Sequence, residues 1–376
     1  MARPTLRALA DHFEDLPDPR LDRNKEYALL DILVVAVCAI LAGCDSWADV
    51  ERFGRAKLDW FRTFLRLPNG IPSHDTFGRV FARLDPEAFG ACFTAWMTAA
   101  CAALGLKQVA IDGKTMRGSR GPQGTAAHVV SAFATANGIT LGQRQVDEKS
   151  NEITAIPELL KVLDIAGALV TIDAMGCQTK IAEQVRAGGA DYLLAVKENQ
   201  PALYGDIHRF VTDALANDYR GVEHSFWEAE ERSHGRDESR ACYVFDARDV
   251  VKDVASWPDL TSVVMIVSSR AVNGETADEV RYYISSRKAS AKAFAQNVRS
   301  HWGIENGLHW VLDVCFGDDA SRVRNGHGPA NFALLRRLAL AVLKQQTDKH
   351  SLRGRRLIAG WDQGYLEQLL LDFLGV

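Results

Sequence analysis

The sequence QVAIDGKTMR, residues 108–117, decides the fold. A short apolar run ends at Ile111 and delivers Asp112, after which the chain turns through Gly113. The end of a buried strand holds a carboxylate rigidly at a sheet edge lined by loops, a placement that suits metal-assisted chemistry. Most aspartates in such a position instead accept a hydrogen bond from the backbone N–H of a nearby turn. Asp112 by itself therefore does not define a site.

Two further acids lie on separate elements. Asp173 follows a second buried run at residues 168–172, and Glu305 lies in a helix-like stretch at residues 301–313. Carboxylates gathered in a partly buried cleft repel one another, and Mg²⁺ or Mn²⁺ removes the conflict because both ions prefer oxygen ligands. Two such ions, about 3.5 to 4 Å apart, activate a water or a 3′-hydroxyl and stabilise the leaving oxygen of a phosphodiester. The acids are therefore predicted to be metal ligands, not bases.

Length and composition predict a folded protein larger than one domain. The chain has 376 residues, 47% of them hydrophobic, so two units, or one domain with a large insertion, are expected. Its seven cysteines form no C-x-x-C pair, which fits a reduced cytoplasmic protein. The most apolar window, Ile32–Cys44, is shorter than the ~20 residues that span a bilayer. It is predicted to be a core helix, and no membrane association is expected; the N-terminus also lacks the regions of a signal peptide.

Charge is unevenly distributed along the chain. The net charge of −4 gives no overall sign of nucleic-acid binding. Between residues 320 and 357, however, basic residues exceed acids by eight, since Asp348 is the only acid. The basic residues are Arg322, Arg324, Arg336, Arg337, Lys344, Lys349, Arg353, Arg355 and Arg356. Such a block is either a solvated helix face or a contact with a polyanion.

Residues 1–105 are predicted to form an all-helical N-terminal domain for DNA-end recognition or dimerisation. Apolar residues recur at helical spacing over residues 27–41, 47–65, 76–84 and 89–104. Ser73 and the Asp85-Pro86 pair predict two helices joined by a tight turn. This pattern is compatible with a helix-turn-helix, but any helical bundle contains such pairs.

The pattern changes to an α/β fold after residue 105. Strands are predicted at residues 107–111, 129–136, 139–146, 169–172 and 192–196, with helices at 156–163 and 179–187. Asn137-Gly138 is a strong hairpin signal. Three antiparallel strands that lead into two helix-connected strands follow the order of a ribonuclease-H-like fold, a mixed sheet with flanking helices. The motifs of serine hydrolases, zincins, P-loops and Rossmann folds are missing from the sequence.

The remaining chain adds an insertion and a helical end. A β-rich insertion is predicted at about residues 205–288, inside a catalytic domain of residues 106–376 that ends in basic helices. If residues 293–312 form one helix, His301, Glu305 and His309 share one face, because residues four apart are neighbours on a helix surface.

Six motifs in order give the chain a family resemblance. They are AIDGKTMRGS, KSNEITAIPELL, TIDAMGCQ, YLLAVKENQPAL, HGRDESR and HWGIENGLHWVLDVCFGDDASRVRNG. Together they resemble the H-repeat-associated group of bacterial insertion-sequence transposases, which are DDE-type enzymes. The resemblance covers nearly the whole chain. It implies a ribonuclease-H-like catalytic domain interrupted by a β-rich insertion, with magnesium-dependent cleavage at element ends and strand transfer into target DNA.

The resemblance also assigns residues. Asp112, Asp173 and Glu305 correspond to the three DDE acids. The broader group carries a tyrosine and an arginine before the glutamate and a lysine after it, where this chain has Val298, His301 and Leu312. This departure leaves Arg299, His301, Asn306 and His309 as substitutes to which the resemblance assigns no role; Arg299, His301 and His309 are predicted to contact DNA.

Other candidate DNA contacts each have a structural alternative. Lys114 and Arg117 contact phosphate near the scissile bond or are solvated loop residues. Lys197 and Asn199 touch DNA at the sheet edge, or Asn199 caps a helix that begins with Pro201. The remaining candidates come from the insertion and the basic block. Arg236, with His234 and Arg240, grips the DNA backbone or closes a hairpin; Trp227 stacks on a flipped base or packs in the insertion; Arg322 and Arg324 belong to the basic block.

The hypothesis is a DNA transposase that binds two Mg²⁺ or Mn²⁺ ions and acts on double-stranded element ends and target DNA. The family implies a homodimer on DNA, in a bacterial cytoplasm and at the nucleoid. A ribonuclease-H-like nuclease without strand transfer would keep the same acids, and a domesticated, inactive DNA-binding protein would keep the basic end and the helical domain.

Overall fold

The computed structural model describes residues 12–102, 105–120, 126–146, 152–233, 236–272 and 275–374. The chain divides into two compact units, each built from separate segments. Unit 1 comprises Met1–Gly105, Gly113–Asn151 and Glu305–Val376, and unit 2 comprises Leu106–Asp112 and Glu152–Ile304. Across the described ranges, we find no helix with the length and apolar character needed to cross a membrane.

The helices and strands are numbered in chain order. The α-helices are α1 (Leu29–Leu41), α2 (Trp47–Ala56), α3 (Leu58–Phe61), α4 (His74–Arg83), α5 (Pro86–Ala102), α6 (Glu152–Lys161), α7 (Thr179–Ala187), α8 (Pro201–Ala216), α9 (Ala247–Val250), α10 (Ala291–His301), α11 (Trp310–Phe316), α12 (Gly328–Lys344), α13 (Leu352–Trp361) and α14 (Gln363–Leu374). The strands are β1 (Gln108–Thr115), β2 (His128–Ala134), β3 (Ile139–Val146), β4 (Leu169–Ile172), β5 (Asp191–Val196), β6 (Ser225–Ser233), β7 (Arg236–Asp246), β8 (Ser262–Val272) and β9 (Glu275–Ser285). A π-helix, Glu305–His309, lies directly before α11.

Two buried helices form the centre of unit 1. Residues 31–41 of α1 and residues 328–343 of α12 are all buried. The ring of Trp47 packs between Phe81 of α4 and Phe332 of α12, with centroid distances of 4.7 and 4.6 Å. A helix that is apolar on all sides is stable only when other elements surround it. The apolar window at residues 32–44 is therefore part of the core, as predicted.

The predicted helical pattern of the first hundred residues is confirmed. The Ser73 hydroxyl caps α4 by accepting a hydrogen bond from the Thr76 N–H at 3.3 Å, and α4 and α5 are joined by the predicted tight turn. The predicted helix over residues 47–65 is interrupted at Lys57, because its N–H bonds to the carbonyls of both Phe53 and Gly54. Helix α2 ends there and the short α3 follows.

The sheet has the predicted mixed topology. Its nine strands lie in the order β3-β2-β1-β4-β5-β9-β8-β7-β6. In unit 2, β1 pairs with β4 and β4 with β5, both in parallel. In unit 1, β2 and β3 form the predicted antiparallel hairpin, and Gly138 in its turn has a φ of +70° that favours glycine. A mixed sheet with flanking helices and a long β-rich extension is the fold class that the sequence predicts.

The β-rich extension belongs to unit 2. Strands β6 to β9 pair antiparallel in sequence, and β9 joins them to β5. Helix α10 packs on this sheet through Phe294 and Val298, which contact an apolar cluster that includes Cys242 and Val264. The strands begin at Ser225 because residues 201–216 form α8, which starts with Pro201 as expected.

Strand β1 is longer than its sequence suggests. The predicted turn at Gly113 is wrong, because β1 continues through this glycine to Thr115. Pairing with β4 stops at Ile111 and Ile172, but β1 also neighbours β2 in the sheet. A second neighbour allows the backbone to remain paired after the first has ended.

Candidate active site

Asp112 and Asp173 lie side by side in unit 2. The last registered pair of β1 and β4 is Ile111 with Ile172, so the next residue of each strand is one of the two aspartates. Neighbouring strands are about 4.8 Å apart, and the carboxyl ends of parallel strands share one edge of the sheet. Both aspartates are partly buried. The structure therefore brings together two of the three predicted acids.

The Asp173 side chain is oriented by the turn that follows it. Its Oδ1 accepts hydrogen bonds from the N–H groups of Met175 at 3.1 Å and Gly176 at 3.4 Å. Both bonds end on Oδ1, and none within the described part of the chain ends on Oδ2. The carboxylate therefore caps a 3₁₀ turn, Ala174–Gly176, through Oδ1.

His301 lies close enough to Asp173 in unit 2 for their side chains to interact electrostatically. Its Nδ1 is 2.9 Å from the Thr171 hydroxyl. Burial lowers the pKa of His301 to about 4, although the negative charge of Asp173 opposes the shift. A neutral imidazole has no charge with which to neutralise a DNA phosphate, so a contact of His301 with DNA would be an uncharged one.

Glu305 is the third predicted acid and belongs to unit 1. It is exposed and begins the π-helix Glu305–His309. The single helix considered for residues 293–312 is therefore wrong: α10 ends at His301 and a π-turn precedes α11. π-Turns inside helices are frequent at functional sites. In the described ranges, no group of three or more histidine, cysteine, aspartate or glutamate side chains is assembled to hold a metal ion.

His309 is partly buried in unit 1. Burial, with further contributions from Arg337, Lys114 and His128, lowers the pKa of His309 to about 3. The imidazole is therefore neutral at physiological pH, so the predicted contact of His309 with a DNA phosphate would not be an ion pair.

We expect acid to destabilise the protein through His309. Its folded pKa of about 3 is below the ordinary 6.5, so the unfolded chain binds this proton at a higher pH than the folded chain does. The stability is fully present above pH 6.5 and is lost as the pH falls towards 3. From pH 7 to about pH 4.5, this group should lower the free energy of unfolding by about 2–3 kcal/mol. Thermal melts across this range measure the effect.

The matched comparison is between His309→Gln and His350→Gln. The exposed His350 should leave the acid dependence unchanged, whereas His309→Gln should make it shallower. An acid dependence in His309→Gln as steep as in the parent chain would contradict the assignment.

The Lys114 side chain is buried, which excludes the solvated-loop alternative. It is only 8% exposed, and Nζ lies 2.7 Å from Asp313 Oδ1 and 3.2 Å from Asp319 Oδ1. The ammonium charge is neutralised inside unit 1. By contrast, the side chain of Arg117 is 80% exposed, and its Nε is 3.7 Å from Asp319, so Arg117 still reaches solvent.

The candidate DNA contacts in unit 2 also include both exposed side chains and side chains bonded within the protein. Lys197 is exposed directly after β5. Asn199 does not cap α8, whose N-cap is Gln200. The Nδ2 of Asn199 instead donates to the Ala174 carbonyl at 2.7 Å. Arg299 is ion-paired with Glu231. Trp227 packs against the apolar cluster under α10, which favours its structural alternative.

The structure describes only some of the candidate DNA contacts in the insertion. Arg240 pairs with Glu238 at 2.8 Å. His234 and the side chain of Arg236 lie outside the described residues.

Most of the basic block is internal to unit 1. Arg336 pairs with Asp318 at 2.7 Å, and neither side chain is exposed. The buried Arg337 donates to Ser131. The remaining internal cations are also bonded: Arg355 to Asp348 at 2.9 Å, Arg356 to Asp45 at 2.8 Å and Lys344 to the Gly307 carbonyl at 2.6 Å. Arg322, Arg324, Lys349 and Arg353 remain exposed.

Arg322 and Arg324 have a defined setting in unit 1. With Asp45, Trp47 and Gly78 they line a cavity of about 230 Å³. The Nε of Arg324 donates to the Gly118 carbonyl at 3.2 Å. The exposed positions of Arg322 and Arg324 are compatible with the predicted contact between the basic block and DNA.

Sequence reasoning missed the internal partners of these cations. Asp318 and Asp319 stand just before the basic block, and Asp313 lies five residues earlier. The signal was present in the motif FGDDASR, where two acids directly precede the arginines. No sequence pattern indicated that Asn199 and Gln200 hold the turn after Asp173; the sequence shows only that the two residues are adjacent to each other.

The fold and the paired aspartates define a mixed α/β protein with two carboxylates beside each other on neighbouring parallel strands. Residues 104–342 match the family described as Transposase DDE domain, and residues 10–97 match the one described as DDE_Tnp_1-associated. The chain belongs to the DDE transposase family.

Individual proteins are similar to the chain to different degrees. The chain is 40% identical to "H repeat-associated putative transposase YhhI" of Escherichia coli K12, over 97% of this chain and 98% of that protein. It is 46% identical to "Uncharacterized protein in dhlA 3'region" of Xanthobacter autotrophicus, over 74% of this chain and 94% of that protein. A solved piggyBac transposase synaptic complex with hairpin DNA gives a TM-score of 0.40 at 10% identity, covering 98% of this chain and 77% of that one. That last similarity is too low to bear on function.

Proposed function

We propose that this protein is a DNA transposase that cuts the ends of its insertion sequence and joins them to target DNA by metal-dependent phosphodiester chemistry. The observation that carries the proposal is the register of β1 and β4, which sets Asp112 beside Asp173 at one sheet edge. Membership of the DDE transposase family supports it.

The donor set fits a hard divalent cation. Asp112 and Asp173 offer carboxylate oxygens from neighbouring strands, and the turn after Asp173 fixes the orientation of its carboxylate through Oδ1. Mg²⁺ and Mn²⁺ prefer such oxygens. We assign Asp112, Asp173 and Glu305 as the ligands of two ions, which when bound supply an activated nucleophile and a stabilised leaving oxygen.

The exposed cations are the proposed DNA contacts. Arg117, Lys197, Arg322 and Arg324 are exposed, and their charges can neutralise backbone phosphates. Contacts of this kind position DNA without reading its sequence. Residues 1–105 are proposed to recognise the element ends or to form the dimer, since joining two ends requires two catalytic chains. The protein is proposed to act in the bacterial cytoplasm, at the nucleoid.

The test is a cleavage and joining assay with labelled DNA that carries the element's own ends. We expect Mg²⁺-dependent cutting and joined products from the parent chain, and neither from Asp112→Asn or Glu305→Gln. Glu183→Gln, a neutralised acid on the exposed side of α7, is the matched control and should keep full activity.

The other outcomes separate the alternatives. Cutting without joined products would favour a nuclease that lacks strand transfer. Binding of the ends without cutting under either Mg²⁺ or Mn²⁺ would favour a domesticated DNA-binding protein. Full activity in Asp112→Asn would refute the proposed site.

A further inference from the structure

The turn after Asp173 is held from two sides. On one side it packs on its own strand: a Cβ at Gly176 would lie 2.3 Å from Ile172 Cγ2, so only glycine fits. Gly176 and Cys177 are buried. The backbone closes the turn through bonds from Gly176 N–H to the Asp173 carbonyl at 3.1 Å and from Cys177 N–H to the Ala174 carbonyl at 3.2 Å.

On the other side the turn is bound by two amide side chains from the segment after β5. Asn199 Nδ2 donates to the Ala174 carbonyl at 2.7 Å. Gln200 Nε2 donates to the Cys177 carbonyl at 2.8 Å. Because β4 and β5 are parallel neighbours, the segments that leave their carboxyl ends meet at the same sheet edge, and these bonds join them.

The orientation of the Asn199 amide follows from its partner. A carbonyl oxygen only accepts, so the group directed at Ala174 is the NH₂. The bond is short for a neutral pair. It fixes the residue that directly follows Asp173, and Ala174 is also the first residue of the turn whose N–H groups orient the carboxylate.

We infer that Asn199 is a positioning residue, which holds the turn Ala174–Cys177 so that the Asp173 carboxylate keeps the orientation required of a metal ligand. The inference rests on the proposed function of Asp173. Asn199 acts through the Ala174 carbonyl and needs no contact with DNA or metal. Gln200 supports the same turn at its far end, so its loss should have the same kind of effect.

The first measurement needs neither metal nor DNA. In the full chain, Asn199→Ala should raise the hydrogen exchange rate of the backbone amides at residues 175–178 by about tenfold, because one of the two side-chain hydrogen bonds that hold the turn is lost. Asn217→Ala is the matched control, since Asn217 Nδ2 makes a similar bond of 2.8 Å to the Asp213 carbonyl, at the end of α8. It should leave these amides unchanged. Gln200→Ala provides a second variant if Asn199→Ala fails to fold.

The second measurement connects the turn to the ligand. Binding of Mn²⁺ to the full chain on element-end DNA, followed by the electron spin resonance of unbound Mn²⁺, should weaken by about tenfold in Asn199→Ala. Cleavage should fall at low Mn²⁺ and recover at high Mn²⁺, a pattern that general destabilisation does not produce.

The outcomes are distinct. Unchanged exchange in both Asn199→Ala and Gln200→Ala overturns the inference. Faster exchange with parental Mn²⁺ binding also overturns it, and leaves the proposed function intact. If the parent chain neither binds Mn²⁺ nor cleaves DNA, the proposed function fails instead, and the inferred role of Asn199 fails with it even though the exchange result stands.

Discussion

Replacing Asp173 by cysteine is expected to reduce Mg²⁺-supported cleavage of element-end DNA by at least about 10³-fold, the loss of several kcal/mol of transition-state stabilisation. Part of the activity should return when Mn²⁺ replaces Mg²⁺, because a thiolate is a poor ligand for Mg²⁺ and a better one for softer ions. The measurement is the rate of single-turnover cleavage in each metal.

The rescue distinguishes a ligand from a structural residue. Asp173 Oδ1 also caps the turn that follows it, so a loss of activity alone would not separate the two roles. Asp173→Ser is the matched variant, since its hydroxyl can cap the turn but carries no charge for a metal. Rescue by Mn²⁺ in the serine variant as well as in the cysteine variant would contradict a role specific to the ligand.

Replacing Arg336 by methionine is expected to lower the melting temperature by about 10 °C. Asp318 is fully buried, so removal of its partner leaves an uncompensated charge inside unit 1, which costs about 3–5 kcal/mol. The guanidinium also lies 4.4 Å from the centroid of the Phe332 ring. Thermal melts followed by circular dichroism measure the change.

The control is the double variant Arg336→Met with Asp318→Leu. Replacing both members of a buried ion pair by apolar groups is often nearly neutral, so this variant should recover most of the lost stability. A double variant as unstable as Arg336→Met would show that packing, not the buried charge, causes the effect.

The sequence predicted the elements whose own residues determine them. The apolar run of α1, the Asn137-Gly138 hairpin and the alternation from α6 to β5 all carry local signals, and the structure confirms them. The pairing of Asp112 with Asp173 was also accessible, because two parallel strands that each carry an aspartate directly after their apolar run place these residues beside each other.

Other features depend on partners that are distant in sequence. Strand β1 runs past Gly113 because β2 lies beside it, and nothing within residues 108–115 reveals this neighbour. The π-turn at Glu305 adds one residue to a helical turn, so a face assigned at a spacing of four residues does not continue beyond it. His301 and His309 therefore could not be placed from periodicity alone.

Charge was the least predictable property. A count of basic residues does not distinguish Arg336, which faces Asp318 in the core, from Arg322, which faces solvent. Arg336 lies in the apolar run of α12, whereas Arg322 precedes that helix, and the packing of α12 buries Arg336. The buried Arg336 guanidinium is paired with the Asp318 carboxylate at 2.7 Å, and such pairing offsets part of the cost of burying the charge.

The internally bonded cations of unit 1 reduce the salt dependence expected for DNA binding. An arginine already bound to a protein carboxylate displaces no counterions from DNA. Of the basic block at residues 320–357, only Arg322, Arg324, Lys349 and Arg353 are exposed. Each neutralised phosphate contributes about −0.9 to the slope of log K against log salt concentration. This segment can therefore contribute no more than about −3.6 to that slope, less than half of what its composition alone suggests.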